Sequence, residues 1–136
     1  MDTVDMVADN KQVIRRYLEQ DELGFPTPEL VLSSSFVSHA SSSDEVVETS
    51  SFLEWARALR DGLHPKVEVE DLIAEGDRVA VRVSWRGVHS GPFAGMAPTG
   101  REYRVSGIGI FRVAEGKVVE RWLEFDQVGL MSQIKG

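Results

Sequence analysis

Glu120, Trp122, Glu124 and Asp126 occupy every second position of the run Val118-Val119-Glu120-Arg121-Trp122-Leu123-Glu124-Phe125-Asp126. In an extended strand that spacing puts them on one face. Three carboxylates and an indole sharing a face need water or a lined cavity, because the alternate positions are too apolar for the strand to stand free in solvent. Paired carboxylates suit acid/base chemistry: proximity splits their pKa values, and desolvation raises a carboxyl by up to ~3–5 units when burial is complete. Asp126, at the junction between this strand and the tail, is the first candidate for a general base or acid, with Glu124 as its partner. Each has a plainer reading. Asp126 can cap a helix over residues 127–134, and Glu124 can be an exposed strand residue paired with Arg104 or Arg121.

Two further polar side chains fit the same chemistry. His39 follows Phe36-Val37-Ser38 at what reads as the end of a helical segment, which puts its imidazole at a rim, placed to shuttle a proton or bond a substrate oxygen. Tyr17 shares the apolar face of the first helix, so its hydroxyl is either that of a core tyrosine or an oxyanion donor. Trp55 and Trp122 are expected to wall the pocket, together with His89 and Phe93 at the Gly/Pro-rich loop and Ser106 and Ile108 on the long strand. Trp85 either joins them or lies on an outer sheet face as an oligomer contact. The histidines lack partners at metal-ligand spacing, and the chain has no phosphate loop, G-x-G-x-x-G, G-x-S-x-G or H-E-x-x-H motif, so chemistry without a cofactor is the economical inference.

Several elements must position these groups. Val13, Ile14, Tyr17 and Leu18 repeat on one side of a helix capped by Asp9 or Asn10 and stopped near Gly24-Phe25-Pro26. Thr27 caps a short helix through Leu32, while residues 33–35 and 41–43 read as loop. Phe52, Trp55, Ala56 and Leu59 give a third helix over residues 51–62. The period then changes to two: Val67 and Val69 alternate, Leu72 and Ala74 alternate in opposite phase, and a bulge near Glu70-Asp71 reconciles them. Residues 75–78 form a hairpin turn, Val79, Val81, Val83 and Trp85 share one strand face, and residues 90–100 form a loop long enough to invite a functional reading. A strand over residues 103–113, a turn at Glu115-Gly116 and a partner strand over 117–125 complete an antiparallel meander. Helices first and meander after predict an α+β domain whose helices cover one side of a curved sheet.

Length and composition set bounds on these expectations. The chain has 136 residues, which predicts one domain over residues 1–136 with a single core and pocket. A formal charge of -7 argues against nucleic acid and against an anionic membrane surface. The absence of cysteine excludes thiolate catalysis and disulfides and suits a cytoplasmic home. Residues 1–10 do not read as a secretory signal, and no apolar run approaches the ~20 residues of a membrane span.

The run His89-Ser90-Gly91-Pro92-Phe93-Ala94-Gly95-Met96-Ala97-Pro98-Thr99-Gly100, followed by Gly116-Lys117-Val118-Val119-Glu120-Arg121-Trp122 and Asp126-Gln127-Val128-Gly129-Leu130, resembles the SnoaL-like polyketide cyclase family of the nuclear transport factor 2-like superfamily. The opening helix, residues 36–39 and the stretch Asp71-Leu72-Ile73-Ala74-Glu75-Gly76-Asp77-Arg78-Val79 fit as well. The resemblance implies a cone, in which a strongly bent antiparallel sheet wraps about three N-terminal helices around an apolar pocket. It also implies that Asp126 matches the aspartate acting as acid/base in an intramolecular aldol closure, that His39 matches the family's histidine, and that Tyr17 is placed like the oxyanion tyrosine of related ketosteroid isomerases. The Asp-Arg-Asp set of limonene epoxide hydrolases is not matched, since residues 104–112 contain no aspartate. The expected function is therefore a cofactor-independent cyclase or isomerase for a polyketide-like or other apolar carbonyl compound. An epoxide hydrolase or a non-catalytic binder of a small apolar ligand are the alternatives. A homodimer is expected, from a Val and Trp row on the outer sheet face.

Overall fold

A computed structural model of the protein describes residues 3–18, 32–39 and 45–136. Ile14 and Tyr17, three positions apart, give the opening helix α1 (Thr3–Leu18) its buried side. Then follow β1 (Leu32–His39), β2 (Val46–Glu48), α2 (Thr49–Leu63), β3 (Lys66–Glu75), β4 (Arg78–Val88), β5 (Glu102–Ala114), β6 (Lys117–Phe125) and α3 (Gln127–Lys135). The strands form one curved sheet in the order β2-β1-β6-β5-β4-β3. Its neighbours run antiparallel except β1 and β6, which are parallel. The architecture is α+β, with the helices on the covered side of the sheet.

The meander follows the alternation of its residues. Pairing of β3 with β4 steps from Val69↔Val83 to Asp71↔Arg82, so Glu70 is the extra residue that the change of phase requires. Glu115 and Gly116 both have positive φ, 52° and 74°, which suits a two-residue hairpin turn between strands of right-handed twist. On the covered face Val79, Val81, Val83 and Trp85 of β4 meet Tyr103, Val105, Phe111 and Val113 of β5, closed over by Tyr17, Phe36, Phe52 and Leu130. Gly107 and Gly109 also face inward. A Cβ at Gly107 would sit 3.2 Å from Trp85 Cζ3, and one at Gly109 would sit 3.1 Å from Leu123 Cδ1, so these glycines make the room those side chains occupy.

Three expectations change. Residues 33–39 are strand, neither loop nor helix end: Phe36 and Ser38 face in, Val37 and His39 face out, and the backbone partners come from distant β6. The short helix capped by Thr27 and the stop at residues 24–26 lie outside the described residues, as do residues 41–43; the described helices are two before the meander and one after it. Trp85 is buried, so the Val and Trp row that suggested self-association is the core face of β4. The outer face presents Ile73, Ile108 and Ile110 instead. Among the described residues no helix is long and apolar enough to cross a membrane.

Phe36 is 1% exposed and its ring lies 5.0 Å from that of Phe52, tying β1 to α2. Phe36→Ala is expected to cost about 3–5 kcal/mol in urea denaturation, against about 0.5 kcal/mol or less for Ser34→Ala at an exposed position of the same strand. Equal effects would contradict the strand assignment of β1.

Candidate functional site

Strand β6 decides which residues face the interior. Its pairing with β5 runs from Val113↔Val118 to Arg112↔Glu120, so Val119 is an extra residue in β6. Beyond this shift Arg121, Leu123 and Phe125 lie opposite Phe111, Gly109 and Gly107 on the covered face. Glu120, Trp122 and Glu124 lie opposite Arg112, Ile110 and Ile108 on the outer face. The shared face of Glu120, Trp122 and Glu124 holds, but it does not border the cavity. Burying Leu123 and Phe125 with one guanidinium desolvates less charge than burying two carboxylates.

Arg121 is the group this arrangement brings inside. It is 7% exposed, and its Nη1 donates to Ser38 Oγ at 2.7 Å, across the β1–β6 pair. Its guanidinium lies 4.9 Å from the Phe52 ring centroid and 5.6 Å from that of Trp55. Cation–π contact of this kind is worth about 2 kcal/mol when desolvated. Nε is enclosed without an acceptor, which costs about 1–3 kcal/mol. Among the described residues no carboxylate pairs with Arg121.

Two adjoining cavities open around it, of about 150 and 420 Å³. Phe52, Trp55, Arg121 and Leu123 border both. The smaller is walled by Tyr17, Val81, Val83, Trp85 and Phe111, with Arg57 and Arg60 of α2. The larger takes in Ser38, Phe93, Phe125, Leu130 and Met131, and is also bordered by His39, Glu45 and Gln127. The Tyr17 ring meets Phe111 edge-on at 4.8 Å. Burial pushes the Tyr17 hydroxyl above the usual phenol range while the charge of Arg121 pulls the other way. The hydroxyl therefore stays protonated at neutral pH as a donor, and it has no hydrogen-bond partner among the described residues. The indole Nε1 of Trp85 is likewise enclosed without an acceptor.

Asp126 is exposed at the end of β6, between Phe125 and Gln127 of the larger cavity. It caps α3: its Oδ1 accepts from Gly129 N–H at 2.8 Å, and a Cβ at Gly129 would collide with that carboxylate. The expected desolvation of Asp126 is therefore absent in this packing. Glu124 is exposed on the outer face, so it does not share a cavity with Asp126, and Arg121 points away from it. His39 borders the larger cavity but turns its ring outward, where it stacks on Trp122 at 4.8 Å and lies 2.7 Å from Glu120 Oε2. Trp55 and Phe93 do line cavities, and Trp122 does not. Ser106 and Ile108 are exposed on the outer face, with Ile108 60% exposed, because the inward positions of β5 belong to Tyr103, Val105, Gly107 and Gly109. His89 is fully buried and lines neither cavity; its Nδ1 accepts from Thr99 N–H at 3.3 Å and lies 2.9 Å from Thr99 Oγ1, which closes the base of the loop. Arg121 was not among the sequence candidates. The available signal was a lone charge in the more apolar half of the β6 alternation.

A model of the SnoaL-like polyketide cyclase family matches residues 6–134, and the chain belongs to that family. Solved structures share its fold. A protein of Jannaschia sp. CCS1 described as a candidate SnoaL-like polyketide cyclase has 23% identity and a TM-score of 0.87 over 100% of this chain and 98% of its own. IdmH of Streptomyces antibioticus, described as a candidate polyketide cyclase, has 23% identity and a TM-score of 0.71 over 100% of both chains. An LEH-like epoxide hydrolase of M. tuberculosis has 12% identity and a TM-score of 0.70 over 95% of this chain and 91% of its own. No curated protein matches the sequence.

Glu120 ties β1 to β5 through His39 and through Arg112, whose Nε donates to Oε1 at 3.0 Å. The hydrogen bond from His39, then that from Arg112, holds its carboxyl below the usual range against the opposing effect of burial. A depressed folded-state pKa adds stability above the unfolded value, about 4.3, and that stability is lost as pH falls through the folded value. Glu120→Gln is therefore expected to be less stable than wild type at pH about 7, with the gap closing below about 4. Urea denaturation across pH checks this; a gap independent of pH would contradict it.

Proposed function

We propose that the protein is a cofactor-independent cyclase or isomerase that acts by acid/base chemistry on a polyketide-like or other apolar carbonyl compound. Tyr17 carries the reading. It presents a protonated phenol, unpartnered among the described residues, in a cavity whose walls include Val81, Val83, Trp85, Phe111 and Leu123 beside Arg121 and the α2 arginines. A carbonyl oxygen that gains charge as a proton leaves its α carbon is stabilised by a fixed donor in dry surroundings. Apolar walls bind the carbon skeleton and keep water from competing for that oxygen.

Asp126 supplies the base. Its Oδ1 holds the N-terminus of α3, and Oδ2 makes no hydrogen bond among the described residues, so capping and proton transfer use different oxygens. Its flanking residues border the larger cavity, which adjoins the Tyr17 cavity at Phe52, Trp55, Arg121 and Leu123. Enolate formation at one carbonyl and attack on a second is the aldol closure that gives a cyclase; returning the proton to another carbon gives an isomerase. Family membership supports this class of reaction.

Exchange of deuterium from solvent into carbon α of tetralone, followed by NMR, tests the proton transfer without knowledge of the natural substrate. Asp126→Asn, which can still cap α3, is expected to slow exchange by about 10²–10⁴-fold with the melting temperature unchanged. Tyr17→Phe is expected to slow it by about 10²–10³-fold. Variants as fast as wild type, or wild type no faster than buffer, would contradict the reading, and solvent oxygen incorporated into a product would assign hydrolysis instead.

A further inference from the structure

The smaller cavity has a charge pattern opposite to that of the whole chain. The protein has a formal charge of -7, yet the described residues bordering this cavity include Arg57, Arg60 and Arg121 and no aspartate or glutamate. Its other polar groups also offer hydrogens: the protonated Tyr17 hydroxyl and the enclosed, unpartnered Trp85 Nε1–H. A neutral apolar ligand would leave the Arg121 guanidinium without a counter-charge.

Arg121 gives the pattern a direction. Ser38 engages Nη1 and Nε is enclosed, which leaves Nη2 as the guanidinium nitrogen that can meet a ligand oxygen in a charge-assisted hydrogen bond. Nε has no acceptor, and Nη2 has none among the described residues. Phe52 and Trp55 pack against the guanidinium. Together with Ser38 they hold its plane in one orientation before any ligand arrives, which reduces the ordering cost of binding. A buried guanidinium cannot neutralise itself by losing a proton, so an anion is the ligand that completes it.

We propose that this cavity receives the carboxylate of an otherwise apolar substrate, with Arg121 as its counter-ion and the surrounding Phe52, Trp85 and Phe111 rings against its carbon skeleton. The inference names the substrate class of the proposed function and rests on that reading of the cavity. The substrate is then a carbonyl compound with an acid group, and Arg121 orients it so that Tyr17 meets the carbonyl.

NMR titration of the full chain with naphthoate and with its neutral isostere naphthamide tests this. Wild type is expected to bind naphthoate at least about tenfold more tightly than naphthamide. In Arg121→Gln and Arg121→Met the ratio is expected to fall to near one through loss of naphthoate affinity, with naphthamide binding kept. Equal affinities in wild type would overturn the proposal whether or not either variant folds. So would a ratio preserved in a folded variant. The readout is binding, so the two proposals fail separately: absent wild-type turnover with the wild-type ratio intact overturns the acid/base reading, and equal wild-type affinities with turnover intact overturn the anion site.

Discussion

The register of β6 against β5 is the constraint on which the rest of the structure depends. Strand side chains alternate with period two, so one inserted residue exchanges every position after it between core and solvent. The shift at Val119 places Arg121, Leu123 and Phe125 over Phe111, Gly109 and Gly107 and turns Glu120, Trp122 and Glu124 outward. The parallel pairing with β1 then has two consistent faces. Inside, Ser38 meets Arg121; outside, His39 meets Glu120 and Trp122. The same bulge thus decides which groups can touch a ligand and which ones hold strands together.

Placing a guanidinium inside carries a desolvation cost that the fold only partly offsets. A hydroxyl and two aromatic rings surround Arg121, and no described carboxylate pairs with it. Hydrophobic packing elsewhere carries that cost, from Val79, Val81 and Val83 on β4 to Ile14 and Leu130 on the helices. Glycine at two inward positions of β5 keeps space beside Trp85 and Leu123, so the sheet curves around cavities where larger side chains would fill it. Membership of the SnoaL-like polyketide cyclase family accounts for the scaffold, while the chemistry is argued from Tyr17, Arg121 and Asp126 themselves.

Much of this was legible in the sequence wherever pattern and local chemistry agree. The β4 alternation, the bulge at Glu70, the turn at Glu115 and Gly116 and the cap at Asp126 are all local and all observed. β1 was hidden because its serine-rich start resembles a loop and its partners lie about eighty residues away, as in Ser38↔Arg121. In β6 the alternation separates the residues into two sets without saying which is inside. The carboxylates drew attention to the wrong one, although the Arg121, Leu123 and Phe125 set is the more apolar. Ser106 and Ile108 misled in the same way, because an exposed isoleucine on β5 mimics a core residue. His89 could not be located from sequence, since its burial depends on Thr99 closing the loop over it.

The most direct test of the central claim, that the interior around Arg121 and Tyr17 is the ligand site, is a crystal structure of the full chain with naphthoate bound. The account predicts the carboxylate within hydrogen-bonding distance of the Arg121 guanidinium and the rings against Phe52, Trp85 and Phe111. A ligand on the outer sheet face beside His39 and Trp122, or one inside with its carboxylate turned away from Arg121, would contradict it.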